Sequence, residues 1–151
     1  MESDSKETIK VRGVIMAFDF KKEYKEFYMP KNKPEIVTVP KANYIAVRGT
    51  GDPNEEDVAW AVQTAEKKKG LDCSVAEFFT VEEGLCVQIM HIGSFNDEPE
   101  TVNKMNAFIE AQGYENDFSD SRLHHEIYLS DARRVAPEKW KTVIRHPIRK
   151  K

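Results

Sequence analysis

The sequence of 151 residues contains only two cysteines, Cys73 and Cys86, and no set of Cys and His at metal-ligand spacing. That excludes a disulfide scaffold and gives no ground for a zinc site. Neither a metal nor a cofactor is expected, and both thiols read as inert in a reducing, cytoplasmic setting. Long apolar runs are missing as well. The longest charge-free stretch, Gly84 to Asn96, falls short of the roughly 20 residues that span a bilayer, and residues 1–15 lack the apolar segment of a secretory signal. No charge of one sign dominates: 26 acidic against 23 basic side chains give a net charge of -3, which leaves no footprint for nucleic acid and no basic helix for a membrane surface. The one glycine cluster, Gly49-Thr50-Gly51-Asp52-Pro53, is too sparse to cradle phosphate, and no Gly-Lys-Ser/Thr follows it.

What is present, 40% hydrophobic and 32% charged residues, is enough for one globular domain, expected over 16–151 behind a flexible tail of 1–15. From Phe18 to Met29 aromatics alternate with lysines and glutamates, the pattern of a short amphipathic segment lying on the body, which Pro30 and Pro34 end. Ile36 to Val39 and Tyr44 to Val47 are β-branched runs, read as one long bent strand or two short ones. Asn54 to Lys69 has acids at its start, lysines at its end and an apolar stripe, so it reads as a helix. The lysine run is explained by the helix dipole, without nucleic acid. Val75 to Val81 and Leu85 to Ile92 are expected to form a hairpin about Glu82-Glu83-Gly84, with glycine at a positive φ. A second helix starts near Pro99, buries Val102, Met105, Phe108 and Ile109, and ends at Gly113. His91 reads as a satisfied histidine, not a ligand, and Cys86 as a small core residue. A polar, ordered loop covers Glu115 to Arg122, and a last strand, Thr142 to Ile148, returns antiparallel to the one before it. The succession predicts an α+β fold, an antiparallel sheet with helices on one face.

The stretch Leu123 to Asp131 organises this reading. Alternation in a strand puts Leu123, His125, Ile127 and Leu129 on one face, expected to be core, and His124, Glu126 and Tyr128 on the other. A carboxylate between two rings packs poorly but holds a cationic or aromatic ligand well. The competing explanation is a sheet with one face simply in water.

Four separated phrases, Cys86 to Gly93, Asn96 to Pro99, His124 to Asp131 and Ala136 to Arg145, resemble the GyrI-like small-molecule-binding family, and Phe20 to Tyr28 and Lys33 to Ile36 fit the same family. The resemblance implies a duplicated strand-helix-strand-strand module with a ligand cleft between its halves. It also implies kinship with the effector domains of multidrug-responsive regulators, in which a buried glutamate and aromatic rings receive hydrophobic cations, and with stand-alone hydrolases that open the cyclopropane ring of DNA-alkylating compounds. In one respect the chain departs from the family: Gly51 to Asp57 runs straight into the later helix, so the first module is incomplete. Edge strands left unpaired would accept a second copy, which makes a homodimer one expectation.

Three readings follow. In the first, the domain binds small hydrophobic, cationic or aromatic molecules through Glu126 and Tyr128, with Tyr44 and Phe79 as further rings. In the second, suggested by the family likeness, Glu126 is the base and Tyr128 the hydrogen-bond donor of a cyclopropane hydrolase active in detoxification. In the third, also from the likeness, the chain protects DNA gyrase from toxins by contact through acids such as Glu55 to Asp57 or Glu82-Glu83. No DNA-reading helix-turn-helix is visible, so no direct nucleic-acid partner is expected.

Overall fold

A computed structural model of the chain describes residues 19–49 and 76–151. The expected tail, the helix Asn54–Lys69, the shortened junction after Gly51 and Cys73 all lie outside the described residues.

Aromatic and charged residues alternate from Phe20 onward, and the chain coils into two single-turn helices, α1 (Phe20–Glu23) and α2 (Lys25–Tyr28). Asp19 caps the first by accepting from the Lys21 amide at 3.0 Å. The strands follow: β1 (Glu35–Val39), β2 (Ala42–Val47), β3 (Ala76–Val81) and β4 (Gly84–Ile92). After a 3-10 turn at Phe95–Asp97 comes α3 (Glu98–Ala111), then β5 (Tyr114–Asn116), β6 (His125–Tyr128) and β7 (Lys141–Lys150). The main sheet is antiparallel and runs β1-β4-β7, with β5 and β6 both pairing with β7. This is the expected α+β architecture, with β5 an additional short strand inside what reads as a polar loop.

The hairpin expected between β3 and β4 is not formed. β4 is flanked by β1 and β7, and β3 pairs instead with β2 in a two-stranded sheet. The two ladders keep one register: Val39 faces Gly84, both strands then skip two residues, and Ala42 faces Val81. β1–β2 is thus one bent strand paired along its length with β3–β4. The bend falls where Pro40 cannot donate a ladder bond and where Gly84 adopts φ 63. Glu83, expected to be solvated at a hairpin tip, turns inward at this break and is 9% exposed.

α3 lies on one face of the sheet and supplies the apolar core. Met105 and Ile109 pack with Val87, Ile89, Ile144 and Ile148. Pro99 at its start and Gly113, φ 77, after its end bound the helix as expected. His91 is buried and satisfied, its Nδ1 2.9 Å from Thr101 Oγ1 and its Nε2 2.9 Å from the Ser94 carbonyl, which ties the head of α3 to β4. Met105 is fully buried at the centre of this layer. Replacing it by alanine is expected to cost about 2–4 kcal/mol in chemical denaturation. Phe78→Ala, at a side chain 75% exposed, should stay within roughly 0.5 kcal/mol of the parent.

Candidate functional site

Register decides what each face of β6 meets. Glu126 stands opposite Ile144 and Tyr128 opposite Thr142, so their side chains share the face of β7 that packs under α3. His125 and Ile127 stand opposite Arg145 and Val143, on the far face. The two faces are therefore the reverse of the expectation. The one carrying Glu126 is continuous with the core, and Ile127 and Leu129 line an open groove, while Leu123 is 64% exposed. Alternation tells which residues share a face but not which face a helix covers, and β6 lies at the margin of the sheet, beside the head of α3.

On the α3 face the polar side chains form one connected chain. His146 Nε2 lies 2.8 Å from His124 Nδ1, His124 Nε2 lies 2.6 Å from Glu126 Oε1, and the Tyr128 hydroxyl donates to Glu126 Oε2. A tautomer assignment that fits has His146 donating to His124 and His124 donating to Glu126, which leaves His146 Nδ1 bare, and that atom is buried without a partner. Glu98, the first residue of α3, adds a second carboxyl to this neighbourhood, near enough for the charge of Glu126 to act on it.

The electrostatics sort these groups. The hydrogen bond from His124, joined by that from Tyr128, outweighs burial and holds Glu126 below the ordinary carboxylate range. Burial, followed by the charge of Glu126 and the hydrogen bond to it, pushes Glu98 up to about 7. Burial, reinforced by His124, pushes His146 down to about 4, so that this ring stays neutral. Burial and the bond to Glu126 raise the Tyr128 phenol, which therefore remains a donor. Rings frame the cluster: Phe95 meets Tyr128 at 5.3 Å and Trp140 at 4.7 Å between centroids, and Phe118 meets His146 at 5.0 Å. The Glu126 side chain, 18% exposed, sits between core and solvent.

Of the residues singled out in the sequence, Glu126 and Tyr128 come together and Tyr44 and Phe79 do not join them. Tyr44 faces the opposite side, its ring edge-on to His125 at 6.4 Å, and burial raises its pKa. Phe79 pairs with Tyr44 across the β2–β3 ladder, and the Arg48 guanidinium lies 5.3 Å over its ring. The rings that extend from Tyr128, Phe95 against it and Trp140 against Phe95, are not marked by the sequence pattern, and neither are Glu98 and His146. The parity of His146 with Ile144 and Ile148 on β7 was the available signal for the histidine. Cys86 is buried and its thiol is pushed up to about 11 by burial, an unreactive group as expected.

The far face carries a different network. Arg145, 2% exposed, donates to Glu83 Oε2 at 2.8 Å, to Gln88 Oε1 at 2.9 Å and to the Phe27 carbonyl at 2.8 Å. His125 Nδ1 lies 2.9 Å from the other Glu83 oxygen. Burial alone would raise the Glu83 pKa, but His125 and Arg145 overcome it and keep the group ionised. This network fastens α2 to the sheet. Beside it, α1 and β6 enclose an open groove of about 660 Å³, whose lining includes Phe20, Tyr28, Ile127 and Leu129 together with Lys21 and Lys22.

An antiparallel sheet under one long helix, with an acid, histidine and tyrosine cluster at a ring-lined margin, defines an α+β domain suited to holding a small molecule. Residues 72–149 match the GyrI-like small molecule binding domain. Among solved structures, an uncharacterized conserved protein from Listeria innocua is similar at 32% identity and a TM-score of 0.76, covering 86% of this chain and 98% of that one. A hydrolase from Listeria innocua is similar at 32% identity and a TM-score of 0.73, with the same coverage of both chains. A further Listeria innocua hydrolase is similar at 31% identity and a TM-score of 0.71. No curated protein matches. The chain belongs to the GyrI-like family of small-molecule-binding domains. Among the described residues, no helix is long and apolar enough to cross a membrane.

Proposed function

We propose that this GyrI-like domain is a hydrolase that binds a hydrophobic, ring-bearing electrophile against Phe95, Trp140 and Tyr128 and adds water to it with Glu126 as base. The observation that carries this reading is the chain His146–His124–Glu126–Tyr128. It holds one carboxylate ionised, orients it through both oxygens and still leaves lone pairs free to accept a proton from water. Two similar solved structures are described as hydrolases, which agrees with it. For a strained cyclopropane conjugated to a carbonyl, Glu126 takes a proton from water and the oxygen attacks a ring carbon. The ring carbon–carbon bond breaks, and its electron pair moves to the carbonyl oxygen, which must then be protonated.

The second reading, capture of a lipophilic cation without turnover, is favoured by the same ionised Glu126 inside a frame of rings, since each cation–π contact contributes about 0.5–2 kcal/mol. Contact with DNA gyrase through Glu82-Glu83 is weakened, because Glu83 points inward to Arg145. Incubating the intact protein near neutral pH with a panel of cyclopropane-containing alkylators and of matched lipophilic cations separates the readings. Mass spectrometry is expected to show ring-opened product heavier by one water, formed catalytically. Binding of the cations with no turnover of any cyclopropane would replace hydrolysis with capture.

A further inference from the structure

We propose that the groove between α1 and β6 is a second small-molecule site, on the face of the sheet opposite Glu126, and that it takes an anionic, ring-bearing molecule of the aromatic carboxylate class. Alternation along one strand separates the two sites. Glu126 and Tyr128 stand opposite Ile144 and Thr142 on the α3 side, whereas Ile127, opposite Val143, turns to the far side and lines the groove. Leu129 lines it too, and its amide carries the ladder one step further by donating to the Lys141 carbonyl at 2.9 Å. Phe20 and Tyr28, with ring centroids 5.6 Å apart, form the facing wall. That wall is fixed from beneath. Arg145 donates to the Phe27 carbonyl at 2.8 Å and Gln88 to the Glu26 carbonyl at 2.6 Å, so the helix that carries Tyr28 is tied to β7 and β4. A groove of about 660 Å³ between a strand and a tethered helix is a preformed space of the size that ordinary ligand pockets have, roughly 300–1,000 Å³.

The charges at its rim choose the ligand. Lys21 and Lys22 are exposed beside the groove, and among the described residues neither ammonium makes an ion pair. The one carboxylate in the lining, Asp19, is engaged in accepting from the Lys21 amide at 3.0 Å. Positive charge is therefore in excess at the rim, over apolar walls. A molecule with a ring system and a carboxylate matches both parts: its rings cover Ile127 and Leu129 while the carboxylate meets the lysines at the water boundary. The α3 face is the complement, since the ionised Glu126 repels an anion there. A lipid surface also presents anions over apolar material, but two lysines on a chain of net charge -3 are a small basic patch for a membrane and a sufficient one for a single carboxylate. The second site holds whether or not Glu126 is a base.

Methyl NMR of the intact protein, titrated at neutral pH with naphthoate, tests the site. Neutral naphthylmethanol and cationic naphthylmethylamine of the same ring isomer serve as matched probes. Naphthoate is expected to shift the Ile127 and Leu129 methyl signals and to saturate with a Kd of about 1 mM or tighter. The double variant Lys21→Gln with Lys22→Gln changes only exposed side chains, so its fold should be kept. It should bind naphthoate about 3- to 10-fold more weakly and naphthylmethanol as the parent does. Added salt should weaken naphthoate in the parent and narrow its difference from the variant. Leu129→Glu sets a like charge inside the groove and should abolish naphthoate binding there. Silence at Ile127 and Leu129, or naphthoate and naphthylmethylamine binding alike in the parent, overturns the proposal. Shifts gathered instead on the Ile144 methyl groups, beneath Glu126, would return the anion to the site already described and remove the second one. Two other occupants would also overturn it: phosphatidylserine vesicles that sediment with the protein when naphthoate does not bind, or a concentration-dependent dimer that Leu129→Glu breaks.

Discussion

Arg145→Ala is expected to destabilise the fold by about 3–5 kcal/mol, because it strands the buried Glu83 carboxylate and removes three further donated bonds at once. The guanidinium reaches Glu83, Gln88 and the Phe27 carbonyl in three directions from one planar fork, and its face lies 6.0 Å from the Phe27 ring. Lysine cannot reproduce this, since one ammonium at the end of a flexible stem does not span the three acceptors, so Arg145→Lys should recover only part of the loss. Glu83→Gln is expected to cost less, because the guanidinium keeps Gln88 and Phe27. Combining Arg145→Met with Glu83→Leu should destabilise less than the two single changes add up to, as the charge left alone is the main cost. Urea denaturation of these variants, with Arg145→Met and Glu83→Leu also made singly, measures this. A second consequence is local. Arg145 and Gln88, through their bonds to the Phe27 and Glu26 carbonyls, fasten α2 to the sheet, so Arg145→Ala should expose residues 19–29 to proteolysis before the main sheet unfolds. Loss of stability below about 1 kcal/mol, with the N-terminal helices still protected, would show that α2 is held by its apolar contacts instead.

The parts of this molecule that sequence reveals are those whose causes are local. Pro99 and its acids set the start of α3, Gly113 its end, and the spacing of Val102, Met105, Phe108 and Ile109 its buried side, all within fifteen residues. Pairing is not local. Val75 to Val81 and Leu85 to Ile92 read as a hairpin because a glycine-bearing connection of three residues joins two strand-like runs. The hairpin gives way to the bent ribbon with β1–β2 because β7 takes one edge of β4 and β1 takes the other. The candidate site shows the same division. Glu126 and Tyr128 were legible as neighbours on one face of a strand. Their partners Glu98, Phe95 and Trp140 come from other elements, and residues at a helix start have a sufficient local explanation as dipole partners, which hid Glu98 in plain view. Tyr44 and Phe79 looked suitable as rings, yet nothing in a sequence fixes on which side of the sheet a distant strand presents them. Arg145 was invisible for the opposite reason. An arginine in the middle of an apolar strand reads as solvent-facing until Glu83 is found folded back beneath it.

Glu126→Gln is expected to lower turnover by about 10²- to 10⁴-fold while leaving the affinity for a neutral, ring-bearing ligand nearly unchanged. The amide keeps the shape of the carboxyl and can still accept from His124 or Tyr128, but it cannot take a proton from water. The rings of Phe95, Trp140 and Tyr128, which supply the apolar contact, are untouched by the change. The relay behind the base predicts the acid limb of the pH profile. The parent should be active while Glu126 is ionised and should lose rate as pH falls through the depressed range in which that carboxylate accepts a proton. His124→Asn removes the main hydrogen bond behind that depression, so the acid limb should move to higher pH with the affinity for neutral ligands retained. Binding and rate together discriminate the two readings of the site. If Glu126 serves only as a counter-charge, Glu126→Gln weakens lipophilic cations and leaves neutral ligands alone, and no rate is lost because none exists. If it is the base, the product heavier by one water disappears while neutral, ring-bearing ligands still bind. Calorimetric titration beside single-turnover mass spectrometry reads both quantities on the same preparation. A variant that keeps the parent's rate would relieve Glu126 of the role of base.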